Sequence, residues 1–324
     1  MTGATGQLLS VRHLVVRYDA SGSRRQSLTA VRNVSLDIAP GRIQALVGES
    51  GSGKTSLARA ILRLLPIASG QVLFRGQDMA TMDRRQLRTT RRSIQAVFQD
   101  PLASLSPRRN VMQALLEPLD HFRIGLAAER EQRALGALET VGLDAGLRHR
   151  YPHELSGGQR QRVSLARALV TEPDLIIADE PVSSLDVPVQ ARIIELIREL
   201  RDRLGLSFLF VSHDLSVVRR LADDVAVMYL GQLVETGPAA NLLGQPAHPY
   251  TRCLLASIPV PDPDHAPPSV VAGEAPSALT PPGGCVFHMR CPERIARCAA
   301  EMPEETRASA PGTDHRVRCH LWNR

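Results

Sequence analysis

Lysine is all but missing from this chain of 324 residues: of 39 basic residues, 38 are arginine, and the one lysine is Lys54. So thorough a replacement reads as a genome-wide codon bias. It makes the survivor informative, because an arginine fork cannot replace every ammonium. Aromatic residues are scarce too, at 3%, too few to stack the bases of a single-stranded nucleic acid. The net charge of +6 is spread along the chain with one cluster, Arg84 to Arg92, which reads as a solvated face, so no nucleic-acid partner is expected. No apolar run nears the roughly 18 residues that span a bilayer; stretches such as Leu175 to Ala178 and Phe208 to Val211 suit short buried strands. Met1 to Gln7 lacks the basic-then-apolar pattern of a signal peptide. The chain is therefore expected to stay in the cytosol and to reach any membrane through partners.

What is present is a chain long enough for one α/β core and a smaller annex. Leu8 to Tyr18 and Leu28 to Ile38 alternate apolar and polar residues, an antiparallel β entry. Arg42 to Val47 is a compact apolar strand, and after a Gly-rich loop Leu57, Ile61, Leu64 and Leu65 recur at helical spacing. From Asp100 to about Tyr151 the pattern is helical, broken by Pro101, Pro107, Pro118, Gly125, Gly142 and Gly146. Beyond it, Leu175 to Ala178 and Leu206 to Val211 flank a helix at Val189 to Leu204, a βαβ pattern that predicts parallel pairing. Proline is dense from Ile258 to Gly284, which marks a semi-rigid linker.

Gly48-Glu49-Ser50-Gly51-Ser52-Gly53-Lys54-Thr55 matches the spacing G-x-x-x-x-G-K-[ST] between a strand and a helix. In such a loop the glycines turn backbone N–H groups onto phosphates, the helix presents its positive end, and the lysine reaches the β/γ oxygens. Thr55 is the expected Mg²⁺ ligand, with Ser56 beside it. Leu175 to Glu180 is an apolar strand ending in two carboxylates. Asp179 suits Mg²⁺, and Glu180 suits polarising an attacking water as general base. Leu155-Ser156-Gly157-Gly158-Gln159 opens a helix whose Val163, Ala166 and Leu169 form an apolar stripe. It is a second phosphate-binding helix end, and a second cradle in one chain suits the completion of a site on another protomer.

In this order the three motifs resemble the ATP-binding cassette family, over roughly residues 8 to 250. The resemblance implies a P-loop NTPase (RecA-like) α/β core with an N-terminal antiparallel β subdomain, a helical signature subdomain at about 100–158, and a Cys-rich C-terminal extension. It implies further roles: Tyr18 stacks on adenine, Gln99 contacts Mg²⁺ and the attacking water, Asp186 in Ser184-Leu185-Asp186 communicates across a dimer, and His213 contacts the γ-phosphate. ATP would sit between the Lys54 loop of one cassette and the Ser156 signature of another.

Tyr151-Pro152-His153-Glu154, Met228-Tyr229-Leu230-Gly231, His248-Pro249-Tyr250-Thr251 and Cys285-Val286-Phe287-His288-Met289-Arg290-Cys291-Pro292 look like the ATPase subunits of dipeptide and oligopeptide importers. The domain plan expected is a cassette at 1–250, a linker at 251–284 and an extension at 285–324. The resemblance implies two integral-membrane permease subunits, a second cassette (a heterodimer being favoured), an extracytoplasmic binding protein acting indirectly, and peripheral attachment at the cytoplasmic face of the membrane. Nickel importers are the near alternative, and a soluble cassette ATPase of DNA repair or translation the distant one. Those soluble types usually carry two cassettes per chain or large insertions. Four cysteines, Cys285, Cys291, Cys298 and Cys319, are spaced C-x5-C-x6-C-x20-C. Disulfides are not expected in the cytosol, and the spacing fits neither a zinc finger nor a ferredoxin run. The family resemblance favours a [4Fe–4S] cluster, with Zn²⁺ as the alternative.

Overall fold

The first two strands, β1 (Leu9–Asp19) and β2 (Ser27–Ile38), form where the alternating pattern predicts them, with the alternation shifted by one residue at His13 (φ 48°) and at Asn33 (φ 54°). Leu9, Val11, Leu14 and Val16 of β1 and Val31, Val34 and Leu36 of β2 turn to the core. Ser10 bonds Asp37 while His13 bonds Ser35, so the strands run antiparallel. The computed structural model describes residues 6–19, 27–100, 104–258, 273, 274, 276–308 and 314–322.

β3 (Ile43–Val47) is buried throughout and leads through the Gly-rich turn into α1 (Lys54–Ile61). Leu57 and Ile61 face inward, but Arg63 takes the left-handed φ of 53°, the helix ends, and Leu64 is 55% exposed. The expected apolar stripe is thus a turn shorter than its periodicity implied. β4 (Ser69–Phe74), β5 (Gln77–Asp78), α2 (Arg84–Ser93) and β6 (Ile94–Val97) follow. α2 carries the arginine cluster, has no buried residue, and begins with a capping box between Asp83 and Gln86. It is the solvated face expected.

The helical insertion contains α3 (Val111–Phe122) and α4 (Ala127–Thr140). Pro118 lies inside α3, where it is buried, rather than breaking it. Its neighbours Leu115 and Leu119 are fully buried, and their packing offsets the roughly 3 kcal/mol that a helical proline costs. Gly125 and Gly142, each at φ 67°, sit just beyond the two helices as their sequence positions predict. Then come α5 (Gly157–Leu169), β7 (Leu175–Asp179), α6 (Val187–Leu204), β8 (Ser207–Ser212), α7 (Leu215–Leu221), β9 (Asp224–Tyr229), β10 (Gln232–Pro238), α8 (Ala239–Gly244), α9 (Pro249–Ala256), α10 (Arg297–Ala300), β11 (Glu305–Arg307) and β12 (Arg316–Arg318).

The chain divides into two compact units. One comprises Met1–Leu8, Ile38–Arg42 and Phe74–Val211, the other Leu9–Asp37, Ile43–Leu73 and Ser212–Arg324. In the first, β6, β7 and β8 pair parallel, and every residue of β7 and β8 is buried. In the second, β3 pairs parallel with β9, and β9, β10, β12 and β11 continue antiparallel. The cysteine-bearing tail therefore extends the sheet of this unit, with Glu235 opposite Val317. α9 occupies the first residues of the expected 251–284 linker, while 259–272 and 275, with most of its prolines, lie outside the described residues. Among the described residues, no helix is long and apolar enough to cross a membrane.

Candidate nucleotide site

The phosphate loop belongs to the second unit. Gly48 and Gly53 take φ of 153° and 105°. A Cβ at Gly48 would lie 2.1 Å from the Met228 carbonyl oxygen, and one at Gly53 2.3 Å from that of Ala30, so backbone crowds both positions and only glycine fits. Ser50 and Gly51 are exposed. Ser52 is buried, its hydroxyl without a protein partner, while its carbonyl accepts from the Gly231 amide at 2.8 Å. Lys54 is 5% exposed, and its Nζ donates to the carbonyls of Gly48 (2.7 Å) and Glu49 (2.9 Å). α1 begins at Gly53 with no side-chain cap, the kind of helix start that phosphate-binding loops present to an anion. Thr55 and Ser56 sit half-buried on that first turn, and Tyr18 from β1 meets Ser56, hydroxyl to hydroxyl, at 3.0 Å. His213, just past β8, is exposed in the same unit.

The carboxylates belong to the first unit. β7 delivers Asp179 almost fully buried. Glu180, one residue further, turns to φ 48° while its amide donates to the Val211 carbonyl at 3.0 Å. That turn brings its carboxylate to Gln99, whose Nε2 donates to Oε2 at 3.1 Å. The geometry joins a candidate base and a candidate water-positioning amide that lie 81 residues apart.

Ser156 is the N-cap of α5: its hydroxyl accepts the Gln159 amide (3.2 Å) and the Gln159 side chain takes the Ser156 amide (2.9 Å). Gly157 and Gly158 open the helix against the following loop and helix. A Cβ at Gly157 would come 3.2 Å from Leu185, and one at Gly158 2.6 Å from Val189. The expected stripe of Val163, Ala166 and Leu169 is buried, and so are Gln161, Ser164, Leu165 and Ala168. Asp186 stands at the N-cap of α6, exposed, and its side chain makes no capping bond.

None of the five cysteines is in a disulfide. Cys285, Cys298 and Cys319 are buried in the tail, Cys291 is half-buried, and the Cys285 amide donates to the Cys298 carbonyl at 2.8 Å. Burial, with the neighbouring thiols adding to it, pushes Cys285 and Cys291 up to about 11. Among the described residues, no three His, Cys, Asp or Glu side chains converge as a metal-binding group. The thiols share a neighbourhood without forming a ready ligand cage.

What sequence spacing did not reveal is the set of contacts around Glu49. Its carboxylate accepts from both terminal guanidinium nitrogens of Arg290, and its amide donates to the Tyr250 hydroxyl. Both residues stood in noticed motifs, but nothing in their spacing points to the loop.

A phosphate loop that only glycines can form ahead of a helix, a buried parallel strand ending in two acids, and a capped Ser-Gly-Gly-Gln helix define a P-loop ATPase of the cassette class. The chain matches the ABC transporter family over residues 31–183 and the oligopeptide/dipeptide transporter C-terminal region over residues 234–298. It is 50% identical over 298 residues to a peptide import ATP-binding protein of Brucella ovis, covering 92% of this chain and 93% of that one. It is 46% identical over 298 residues to an oligopeptide transport ATP-binding protein of Bacillus subtilis, covering 91% and 90%. Among solved structures it is similar to a dimeric ATP-binding cassette in a post-hydrolysis state bound to ADP and Pi (TM-score 0.64, 29% identity, 71% of this chain and 98% of that one). A component of an ABC transporter complex from Clostridium perfringens is also similar (TM-score 0.65, 28% identity, 74% and 92%). The chain belongs to the ABC transporter family as an ATPase of its oligopeptide/dipeptide branch.

Proposed function

We propose that this chain binds and hydrolyses ATP to power an ABC importer of di- or oligopeptides, working with two integral-membrane permeases and a second cassette at the cytoplasmic face of the membrane. The support is one arrangement: the chain holds two helix starts of the phosphate-binding pattern, at Lys54 and at Ser156, and a Glu180 bonded to Gln99. The peptide cargo rests on the names of the relatives.

Gly48, Ser50, Gly51, Ser52 and Gly53 present backbone amides to the phosphates. Lys54 exchanges its bonds to the Gly48 and Glu49 carbonyls for β/γ oxygens. Thr55, Asp179 and Gln99 are the residues to hold Mg²⁺, which when bound neutralises phosphate charge. Glu180 takes the proton of the attacking water, Gln99 orients that water, and His213 contacts the γ-phosphate. Tyr18 stacks on the adenine. Ser156, Gly157, Gly158 and Gln159 serve the nucleotide held by a partner cassette, and Asp186 signals to it. An extracytoplasmic binding protein would select the cargo. In the tail, a [4Fe–4S] cluster on Cys285, Cys291, Cys298 and Cys319 stays a proposal beside zinc, supported by the thiols' shared neighbourhood. Iron analysis and a visible absorption band of anaerobically purified protein test it.

Glu180→Gln is expected to retain MgATP binding and to lose hydrolysis by about 100-fold or more, the range of general-base contributions. Lys54→Ala is expected to lose both. Lys54→Arg is also expected to abolish hydrolysis, because the bulkier guanidinium follows the γ-phosphate less well. Hydrolysis at the parent rate in Glu180→Gln would remove the base assignment.

A further inference from the structure

Glu49, the second residue of the phosphate loop, is held at three points. Its amide donates to the Tyr250 hydroxyl at 2.9 Å, its carbonyl accepts from Lys54 Nζ at 2.9 Å, and its carboxylate takes Arg290 Nη1 and Nη2 at 2.7 and 3.1 Å. Arg290 lies 241 residues along the chain, between Cys285 and Cys291. Its side chain is 7% exposed, against 26% for Glu49. It also donates to the Tyr229 hydroxyl at 3.4 Å and lies over that ring. Tyr229, Tyr250 and Phe287 pack ring against ring beneath it. Every one of these residues belongs to the second unit.

Of these three contacts, one cannot persist when a nucleotide arrives, since Lys54 is needed at the β/γ oxygens. The other two do not touch a phosphate and can stay. We infer that Arg290 is a positioning residue of the nucleotide site: through Glu49 it holds the start of the phosphate loop in place as Lys54 turns to the triphosphate, which ties the C-terminal cysteine element to ATP binding. A partly buried, bidentate arginine–carboxylate pair has the directional rigidity for this, whereas a lysine point charge does not. Without the pair, the nucleotide itself must order the loop, and that cost falls on affinity rather than on the chemistry of bound ATP.

The inference rests on the ATP reading of the loop, and the two fail differently. If the loop were not an ATP site, the parent chain would not bind MgATP at all. The experiment compares the full-length parent with Arg290→Gln, Glu49→Gln, the double variant and Arg290→Lys, by MgATP titration and by steady-state hydrolysis in the assembled transporter. Arg290→Gln is expected to weaken MgATP binding and raise KM roughly tenfold while kcat stays within about twofold. The double variant is expected to be no worse than either single one, because one interaction is being lost. Arg290→Lys is expected to recover part of the loss. Parent-like affinity in Arg290→Gln, a fall in kcat with KM unchanged, or additive losses in the double variant would each overturn the inference. Should Arg290→Gln fail to fold, Glu49→Gln removes the carboxylate of the same pair and leaves the backbone contacts of Glu49 in place. Its affinity must then fall severalfold, and an unchanged value overturns the inference equally.

Discussion

His248 starts α9 by accepting the Tyr250 amide on Nδ1 at 3.0 Å, and it is 1% exposed. Burial pushes its pKa from 6.5 down to about 4; the Glu235 carboxylate opposes that shift and Arg252 adds to it. Glu235 is itself tied to the Ala247 and His248 amides and to His315 Nε2. The unfolded chain therefore takes up this proton before the folded one does. The contribution is whole above pH 6.5 and is lost as the pH falls towards 4, by up to about 3 kcal/mol. His248→Asn keeps a side-chain acceptor at the cap without titrating. It is expected to flatten that part of the stability–pH curve, measured as urea midpoints from pH 4 to pH 7; equal slopes in both proteins would contradict the assignment. At this scale the sequence was uneven in what it disclosed. Lys54, Ser156 and Asp179 stand out because the motifs that carry them span only a few residues. Arg290 and Glu49 do not, because their pairing depends on the folded path between them.

At the scale of elements, local periodicity was readable wherever one face is buried and the other wet. β1, β2 and the helices of the insertion follow it, whereas β3, β7 and β8, buried at every position, read instead as compact apolar runs. β6 and β12, with four and three residues, are too short to carry a period, and they exist because a longer strand is there to pair with. Nor did periodicity show where α1 stops, since Arg63 ends it through backbone conformation. The glycine positions of the phosphate loop give a graded prediction. Gly51 and Gly53 both have positive φ, at 76° and 105°, but a Cβ at Gly51 meets nothing within 4 Å, whereas at Gly53 it meets the Ala30 carbonyl oxygen at 2.3 Å. Gly51→Ala is expected to cost only the left-handed backbone penalty, about 1–2 kcal/mol. Gly53→Ala has to displace backbone as well. Its thermal midpoint should fall further, with MgATP binding lost in titration; equal effects of the two substitutions would mean that the Ala30 contact yields.

Over the whole molecule, composition separated a cassette from a cysteine tail at the proline-rich stretch, because proline density reports chain stiffness and not what the chain beyond it packs against. The tail's Phe287 is 1% exposed and packs at 5.3 Å and 5.2 Å, ring centre to ring centre, on Tyr229 of β9 and Tyr250 of α9. Val227, Leu242 and Tyr250 belong to the same buried cluster as Cys285, Val286 and Phe287. The core of the second unit is thus closed by residues that the sequence places in an appendage. Phe287→Ala removes a ring from that cluster, and large-to-small changes of this kind cost about 3–5 kcal/mol. The loss should not be uniform, because the chain forms two compact units and cooperative opening follows such units. Native-state hydrogen exchange of Phe287→Ala is expected to quicken in β9, β10 and α9, which share the cavity's surroundings. α3 and α4, in the other unit, are expected to keep the parent's protection. Equal loss in α3 and α4 would mean that the two units open together, and the tail would then support the entire cassette rather than the half that holds the phosphate loop.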